Sequence, residues 1–384
     1  MLKPDNPSPA ITVQFILTFI LRILSLVVQS VLPLYLVSVM HASNYFVGLM
    51  ISALWIGNAA GAITGAALVR KWRLAGLAGL FLLALSFSGY YAFNSIYLLT
   101  IFIFIGGFGS GILQPLLAPS MHRSSKDDYP FSGVSLYSTA LSLALVVGPL
   151  ISSLVIAFSG FKILFLSLSI ASLVSLALPL IGKNSEAGKA SNLVSNFFTV
   201  SKGVITNKGF RREFVMNLVY SLTLPIVLSF SGTVAHRVYG LSSSEILLVL
   251  TLLFSISSAI RFSMRRLIMK KVNRLMIISC LFLLLSSVLL SNGSSASLFI
   301  AGLLFFSIPH ATIYPWTLYN VFQTSEKERL IQSSYIFSLS SGISEFISPP
   351  LTSLSIYLFG SAYGIAIAIP FSILAFIISI TLYR

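Results

Sequence analysis

Apolar runs, each broken by charge, glycine, proline or asparagine, follow one another along almost the whole chain. They predict spans at 12–40, 45–69, 74–93, 96–121, 131–158 and 161–182. After a polar stretch from Lys183 to Arg212 they resume at 213–236, 243–264, 273–291, 296–322, 331–358 and 361–383. Every run exceeds the ~17 residues a helix needs to cross a bilayer core. Backbone N–H and C=O groups in hydrocarbon must be satisfied within their own segment, so the runs are read as helices rather than strands. The expected architecture is all-α and integral to the membrane, with two six-helix halves, 1–182 and 213–384, joined by a cytoplasmic connection at 183–212.

Composition supports lipid as the solvent. Of 384 residues, 56% are hydrophobic and only 9% charged, against about 25% charged in an ordinary soluble domain. The mean hydropathy is +0.96. A net charge of +15 would suit a nucleic-acid binder, but the basic residues fall between the spans. With the N-terminus in the cytoplasm, Lys3, Arg70, Lys71, Arg73, Arg123, Lys126, the Lys183 to Arg212 cluster, Arg261 to Arg274, Lys327, Arg329 and Arg384 all lie inside. Only Lys162 and Arg237 lie outside, and Arg22 sits within the first span. This is the positive-inside pattern, expected of a multi-pass protein of the cell membrane with both termini cytoplasmic; it argues against nucleic acid as a partner. Cys280, the single cysteine, excludes an intrachain disulfide and a thiolate cluster. The four histidines are scattered, with no HExxH pair and no GxSxG elbow. No enzyme activity, metal or cofactor is expected.

The two sets of six resemble copies of one another. At an ungapped offset of 200 residues, Lys71 falls on Lys271, Pro115 on Pro315, Ser138 on Ser338, Pro149 on Pro349, Ser153 on Ser353 and Gly160 on Gly360. Internal repeats of this kind are common in secondary transporters.

Six plus six helices, a longer connection, and a basic cluster after the second span of each half resemble the major facilitator superfamily. Between spans 2 and 3 that family carries Gly-x-x-x-Asp-Arg-x-Gly-Arg; here Gly65, Arg70 and Arg73 match, while Val69 and Trp72 replace the Asp and second Gly. In span 5, LALVVGPLISS is similar to the family's antiporter motif, carried by Gly148 and Pro149. In span 4, GGFGSGILQPLLAPS resembles its Gly-rich helix, with Ile105 near the position of the usual Arg. Gly160, Phe161, Lys162 and Phe165 look like the family's approach to helix 6. The run Leu32 to Ala53 is most similar to the drug-efflux antiporters. The resemblance implies a pathway surrounded by helices 1, 4, 7 and 10, which makes Gln114, Asn217 and Tyr220 candidate lining groups. It also implies that Gly65, Arg70, Arg73, Gly148 and Pro149 serve conformational change; Pro349, like Gly148-Pro149, is read as a bend that lets its helix rock between states.

Ionisable groups inside a membrane cost about 2.5–3.5 kcal/mol each on insertion scales and normally face a cavity or a partner. Arg22 shares one narrow helical face with Gln14, Thr18, Ser25 and Gln29. It either meets water and substrate or snorkels to the inner interface. Glu345, read as the only carboxylate deep within a helix, shares a face with Ser334, Ser338, Ser341, Ser348 and Thr352. It is the candidate proton-coupling group, with a static hydrogen-bonded carboxylate as the alternative. His310 shares a broad face with Ser307, Tyr314 and Thr317, and Trp316 beside Pro315 is placed to stack on an apolar ligand or on neighbouring helices. Gly57, Gly61 and Gly65 repeat every four residues, a spacing that permits close helix approach. The expected function is secondary transport by alternating access in a monomer, with proton-coupled efflux of an amphiphilic, drug-like molecule as the leading reading. Uptake or facilitation of a polar metabolite such as a sugar or organic anion is the alternative, and a non-transporting sensor a more distant one.

Overall fold

The computed structural model describes residues 9–67, 72–124, 130–181, 206–264, 272–292, 295–325 and 330–383. Among the described residues the apolar runs are helical over most of their length. The first four are α1 (Pro9–Ser38), α2 (Asn44–Ala67), α3 (Trp72–Ala92) and α4 (Ile96–Ser124). The run Pro130–Val174 is interrupted at Gly160, giving α5 (130–159) and α6 (161–181), whose last turn is Ala177–Ile181. Helix α7 comprises Lys208–Ser221, a π-helical turn at Ile226–Phe230 and a final stretch at Ser231–Tyr239. Then come α8 (Ser243–Met264), α9 (Val272–Leu290), α10 (Ala296–Thr324), α11 (Leu330–Phe359) and α12 (Ala368–Leu382). Among the described residues these twelve segments form two six-helix pseudo-repeats.

Helix α7 begins at Lys208 rather than at 213. The Asn207 side chain caps it, its Oδ1 accepting from Gly209 N at 2.8 Å and Phe210 N at 3.3 Å. This satisfies backbone donors that would otherwise lack partners and carries the helix back through a polar turn. Serine and threonine are accommodated in these apolar helices by returning their hydroxyls to the backbone one turn earlier, as Ser172 does to Leu168 O at 2.8 Å and Thr251 to Leu247 O at 2.8 Å. Many large apolar side chains remain exposed, Phe158 at 85% and Tyr357 at 76%, as suits a surface bathed in lipid.

The repeat is written in hydrogen bonds as well as residues. Ser86 donates to Phe102 O at 2.8 Å, joining α3 to α4; at the 200-residue offset, Ser286 donates to Gly302 O at 2.7 Å, joining α9 to α10. Ser88 and Ser169 meet at 2.8 Å between α3 and α6, and Ser287 and Ser372 at 2.6 Å between α9 and α12. Gly160 and Gly360, superimposed by the same offset, adopt φ values of 78° and 81°. Nothing stands within 4 Å of a Cβ built at either position, so backbone conformation rather than space requires glycine there.

By contact the described chain divides into two compact units that do not follow chain order. One comprises the described residues within 1–26, 56–148 and 159–195; the other comprises those within 27–55, 149–158 and 196–384. Within the first, α2 lies directly on α4. A Cβ at Gly57, Gly61 or Gly65 would overlap the carbonyl oxygens of Phe104, Phe108 and Ile112 respectively. The four-residue glycine spacing therefore does what its periodicity suggests, bringing backbones together.

The second unit carries the α1–α2 turn together with α7 to α12. Arg237 donates to Ala42 O at 2.7 Å, and Ser229 donates to Gln29 O at 3.2 Å. Ser153 and Ser244 pair at 2.8 Å between α5 and α8. Ser353, at the equivalent position in α11, sits where a Cβ at Gly48 of α2 would come within 2.5 Å.

Candidate functional site

The polar groups of the second unit converge along the seam between α7 and α11. Ser344 and Ser348 each donate to α7 carbonyls, at Leu218 O and Leu222 O, both at 2.6 Å. Asn217 Nδ2 donates to Ser340 Oγ at 2.7 Å and to Ser341 Oγ at 2.9 Å, and Ser221 and Ser341 meet at 3.2 Å. Ser340 gives its own hydrogen to Phe337 O at 2.6 Å, so toward Asn217 it accepts. The Asn217 side chain is fully buried, and its Oδ1 has no hydrogen-bond partner among the described residues. The polar face read along α11 contains Ser341 and Ser348 but leaves out Ser340 and Ser344, which do much of the joining.

One turn along α7, the Tyr220 hydroxyl lies 3.0 Å from His310 Nδ1 on α10. Both side chains are buried. Phe306 stacks on the Tyr220 and His310 rings, with centroids 6.3 and 6.1 Å away, and Phe254 meets His310 edge-on at 5.4 Å. Arg261 has a contact that the sequence pattern does not reveal. The charge pattern counts it among the cytoplasmic-side cations at the end of the span 243–264; in the structure it lies in the last turn of α8 and donates to His310 O at 2.8 Å. A long side chain at the end of an apolar run can turn inward as well as outward; hydropathy cannot tell the two apart.

Glu345 lies one turn beyond Ser341 on α11. With Gln29, Trp55, Leu224, Pro225, Leu228 and Ser229 it lines a small recess beside the π-helical turn of α7. Such turns are often found at functional sites. Arg261 and Glu345, of opposite charge, both lie within electrostatic reach of the Tyr220 phenol. The structure thus brings together Gln29, Asn217, Tyr220, His310 and Glu345, five of the residues singled out in sequence, and adds Arg261, Trp55 and Ser229.

Other candidates lie elsewhere. Tyr314 leans on Phe337 at 6.0 Å, against an apolar cluster with Phe210, Val321 and Ile336. Trp316 packs on Tyr319 at 5.3 Å, and its Nε1 has no hydrogen-bond partner among the described residues. Arg22 belongs to the first unit, where Tyr137 is its electrostatic neighbour. Its Nε is buried without a hydrogen-bond partner among the described residues. On the same face Thr18 bonds to Gln14 O at 2.7 Å, and Ser25 meets Ser110 of α4 at 2.9 Å. The side chain of Gln114, and all of Arg70, fall outside the described residues. Arg73 is exposed at the start of α3. Pro149 and Pro349 stand inside helices that continue through them, and a Cβ at Gly148 would make only ordinary contact with Leu26, at 3.5 Å.

Glu345 is not the only carboxylate deep within a helix. Glu213, at the edge of the predicted span, is 0% exposed. Arg212 approaches its Oε1 at 2.6 Å, Asn320 donates to Oε1 at 3.2 Å, and Tyr383 donates to Oε2 at 2.5 Å. The Arg212 guanidinium also lies 4.7 Å from the Tyr383 ring centre. Polar residues flank Glu213 on its N-terminal side, so hydropathy extends the connection to Arg212 and leaves this carboxylate at its edge; the Asn207 cap is the signal that places it inside the helix.

Membrane-length helices in a repeated six-helix plan, with a buried polar seam among them, define a polytopic membrane protein. The sequence matches the Major Facilitator Superfamily over residues 14–330, and the chain belongs to that family. It is a transporter and not an enzyme. Several solved structures share the fold. The nucleoside transporter NupG is 12% identical, with a TM-score of 0.75 over 98% of this chain and 99% of its own. A peptide transporter POT in complex with sulfate is 12% identical, with a TM-score of 0.76 over 100% and 95%. The human organic anion transporter MFSD10 is 14% identical, with a TM-score of 0.70 over 98% and 100%. No curated protein matches the sequence.

Proposed function

We propose that this protein moves a small polar organic molecule across the cell membrane by alternating access, and that Glu345 carries the coupling proton. The observation that carries the reading is the convergence of Asn217, Tyr220, His310 and Glu345 on one seam of α7, α10 and α11. Transporter sites characteristically sit near the bilayer midplane at interrupted helices, and α7 is interrupted between Ser221 and Ile226. Hydrogen-bonding side chains set into aromatic walls suit a ligand with several polar groups. The nucleoside and peptide transporters among the structural relatives carry solutes of that kind, which supports the reading.

Tyr220 on α7 lies within electrostatic reach of both Glu345 and Arg261, and its hydroxyl meets the ring of His310 on α10. A carboxylate held among such groups can exchange a proton as the site opens to either side. The distribution of basic residues supports cytoplasmic termini, and two halves in one chain support a working monomer. Efflux of amphiphilic compounds is the second reading, favoured by the apolar part of the recess, Trp55, Leu224, Pro225 and Leu228.

Counterflow in proteoliposomes tests both. Polar solutes such as uridine or a dipeptide should exchange, whereas exchange confined to lipophilic dyes would transfer the assignment to efflux. Glu345→Gln should abolish uptake driven by a pH gradient while leaving solute exchange intact. Retained dependence on the gradient would remove Glu345 from the coupling.

A further inference from the structure

Resting on the reading of Glu345 as the coupling carboxylate, we propose that the recess it lines is a one-water site, and that this water is the relay through which Glu345 gains and loses its proton. The recess admits a water-sized occupant over about 10 Å³. A bound water needs roughly 10–15 Å³ by that measure and two to four polar partners. The space therefore suits a single water and is too small for an organic solute. Gln29, Ser229 and Glu345 bring an amide, a hydroxyl and a carboxylate to its lining, while Leu224, Pro225 and Leu228 make the rest of it largely apolar.

The polarity of these partners is complementary to water. Ser229 gives its hydrogen to Gln29 O at 3.2 Å, so toward the recess its oxygen accepts. An ionised carboxylate only accepts, and a glutamine amide carries two N–H donors. A water can donate to Ser229 and Glu345 and accept from Gln29. When Glu345 is protonated, its carboxyl donates to the water oxygen instead. In the transfer step the carboxyl O–H bond breaks as its proton joins the water oxygen, and the water passes one of its own protons to solvent on the open side. The carboxylate and one intact water remain, and one proton has moved.

The walls tie this transfer to access. Gln29 and Trp55 belong to α1 and α2, whereas Ser229 and Glu345 belong to α7 and α11. The Ser229–Gln29 bond that shapes the recess also joins the first helices of the two halves, and Ser229 lies in the π-helical turn of α7. Parting α1 from α7 takes the polar wall apart and admits solvent to the carboxylate. Gln29 and Ser229 are thus positioning residues for the proton step. The titratable groups around Glu345 are Tyr220 of α7, which also senses Arg261 of α8, and His310 of α10 against the Tyr220 hydroxyl. None of these three lines the recess.

The first test needs no solute. Full-length protein in lipid nanodiscs is exposed to brief X-ray radiolysis, which oxidises side chains beside ordered water, and is read by mass spectrometry. The buried Leu228 should be labelled at least about fivefold faster in the wild type than in Ser229→Val, which fills the recess. Ser229→Ala, which removes the hydroxyl and leaves the room, should fall between them. Equal labelling of Leu228 in the wild type and Ser229→Val would overturn the proposal. Should Ser229→Val fail to fold, Gln29→Met carries the same comparison. The second test uses proteoliposomes, with uridine and L-alanyl-L-phenylalanine as probes, and divides uptake driven by a pH gradient by the counterflow of the same variant. Gln29→Met and Ser229→Val should lower that ratio at least about fivefold. An unchanged ratio in both, where Glu345→Gln abolishes it, overturns the relay and spares Glu345 as the coupling carboxylate. An unchanged ratio in Glu345→Gln overturns both. Uptake that follows a sodium gradient at fixed pH, and stops when choline replaces sodium, would give the recess to a metal cation and overturn the proposal.

Discussion

At the scale of single residues, the charges within the helices divide into those with a structural role and those proposed to act in transport. Glu213 belongs to the first group: Arg212, Asn320 and Tyr383 surround it from α7, α10 and the end of α12. Removing Glu213 takes away the anion that Arg212, Asn320 and Tyr383 all bond; because the Arg212 side chain is a third exposed, solvent lowers the cost below the about 3–5 kcal/mol of stranding a fully buried charge. Glu213→Ala should therefore lower the thermal midpoint of the purified protein markedly. Tyr383→Phe, which removes one neutral donor to the carboxylate, should lower it by less, in line with about 1.5–3 kcal/mol for a hydrogen bond to a charged group. A silent Glu213→Ala would refute a structural role for this cluster. Lys162 is likewise engaged, donating to the carbonyls of Tyr90, Tyr91 and Phe93 at 3.0, 2.8 and 3.0 Å, at the C-terminal end of α3. Lys162→Met should fray that end, detectable as faster amide exchange there. Of these two roles only the topological one, Lys162 outside the inner cluster, could be read from sequence, because the carbonyls it meets are about seventy residues away.

At the scale of elements, glycine spacing and hydroxyl placement decide how closely helices approach. A notional Cβ on Gly61 would overlap the backbone oxygen of Phe108. A side chain there cannot be accommodated by a rotamer change; the helix itself must move. Overpacking of this kind commonly costs about 1–3 kcal/mol, sometimes more, so Gly61→Val should reduce the yield of folded, monodisperse protein. Gly148→Ala, where the neighbours stand at 3.5 Å or beyond, should be tolerated, and size-exclusion profiles of the two variants make the comparison. Gly160 and Gly360 form a different pair, in open surroundings but with left-handed φ. Alanine at either should strain the turn between the fifth and sixth helices of its half, with similar shifts in thermal midpoint because the two turns are equivalent. The glycine periodicity and the 200-residue offset are both legible in the amino-acid sequence. The π-helical turn in α7 is not, since Ile226–Phe230 reads as ordinary apolar helix.

At the scale of the whole molecule, the second compact unit includes the α1–α2 turn and part of α5 along with α7 to α12. Its α5–α8 contact rests on Ser153 and Ser244, 2.8 Å apart, and alternating access from the side proposed to face outward requires that contact to part. Cysteines at both positions should crosslink under mild oxidation. The native Cys280 is buried and cannot interfere. Crosslinking should stop counterflow, and reductant should restore it; transport that continues through the crosslinked protein would show that this contact does not open.

Twelve helices, two copies of a six-helix plan and the family follow from sequence alone, because each depends on residues summed locally or compared at a fixed offset. Lipid demands long apolar runs, and a repeat keeps landmarks such as Gly160 and Gly360. Which polar groups meet was decided only by tertiary structure. Arg261 reads only as a cytoplasmic-side cation until α8 is seen beside His310, Glu213 reads as the first residue of a span until Asn207 is seen to cap α7, and Ser340 and Ser344 acquire their role only opposite Asn217 and Leu218. Helical periodicity describes one face of one helix, whereas a transport site is made between helices, by groups as distant in sequence as Ser344 and Leu218, 126 residues apart.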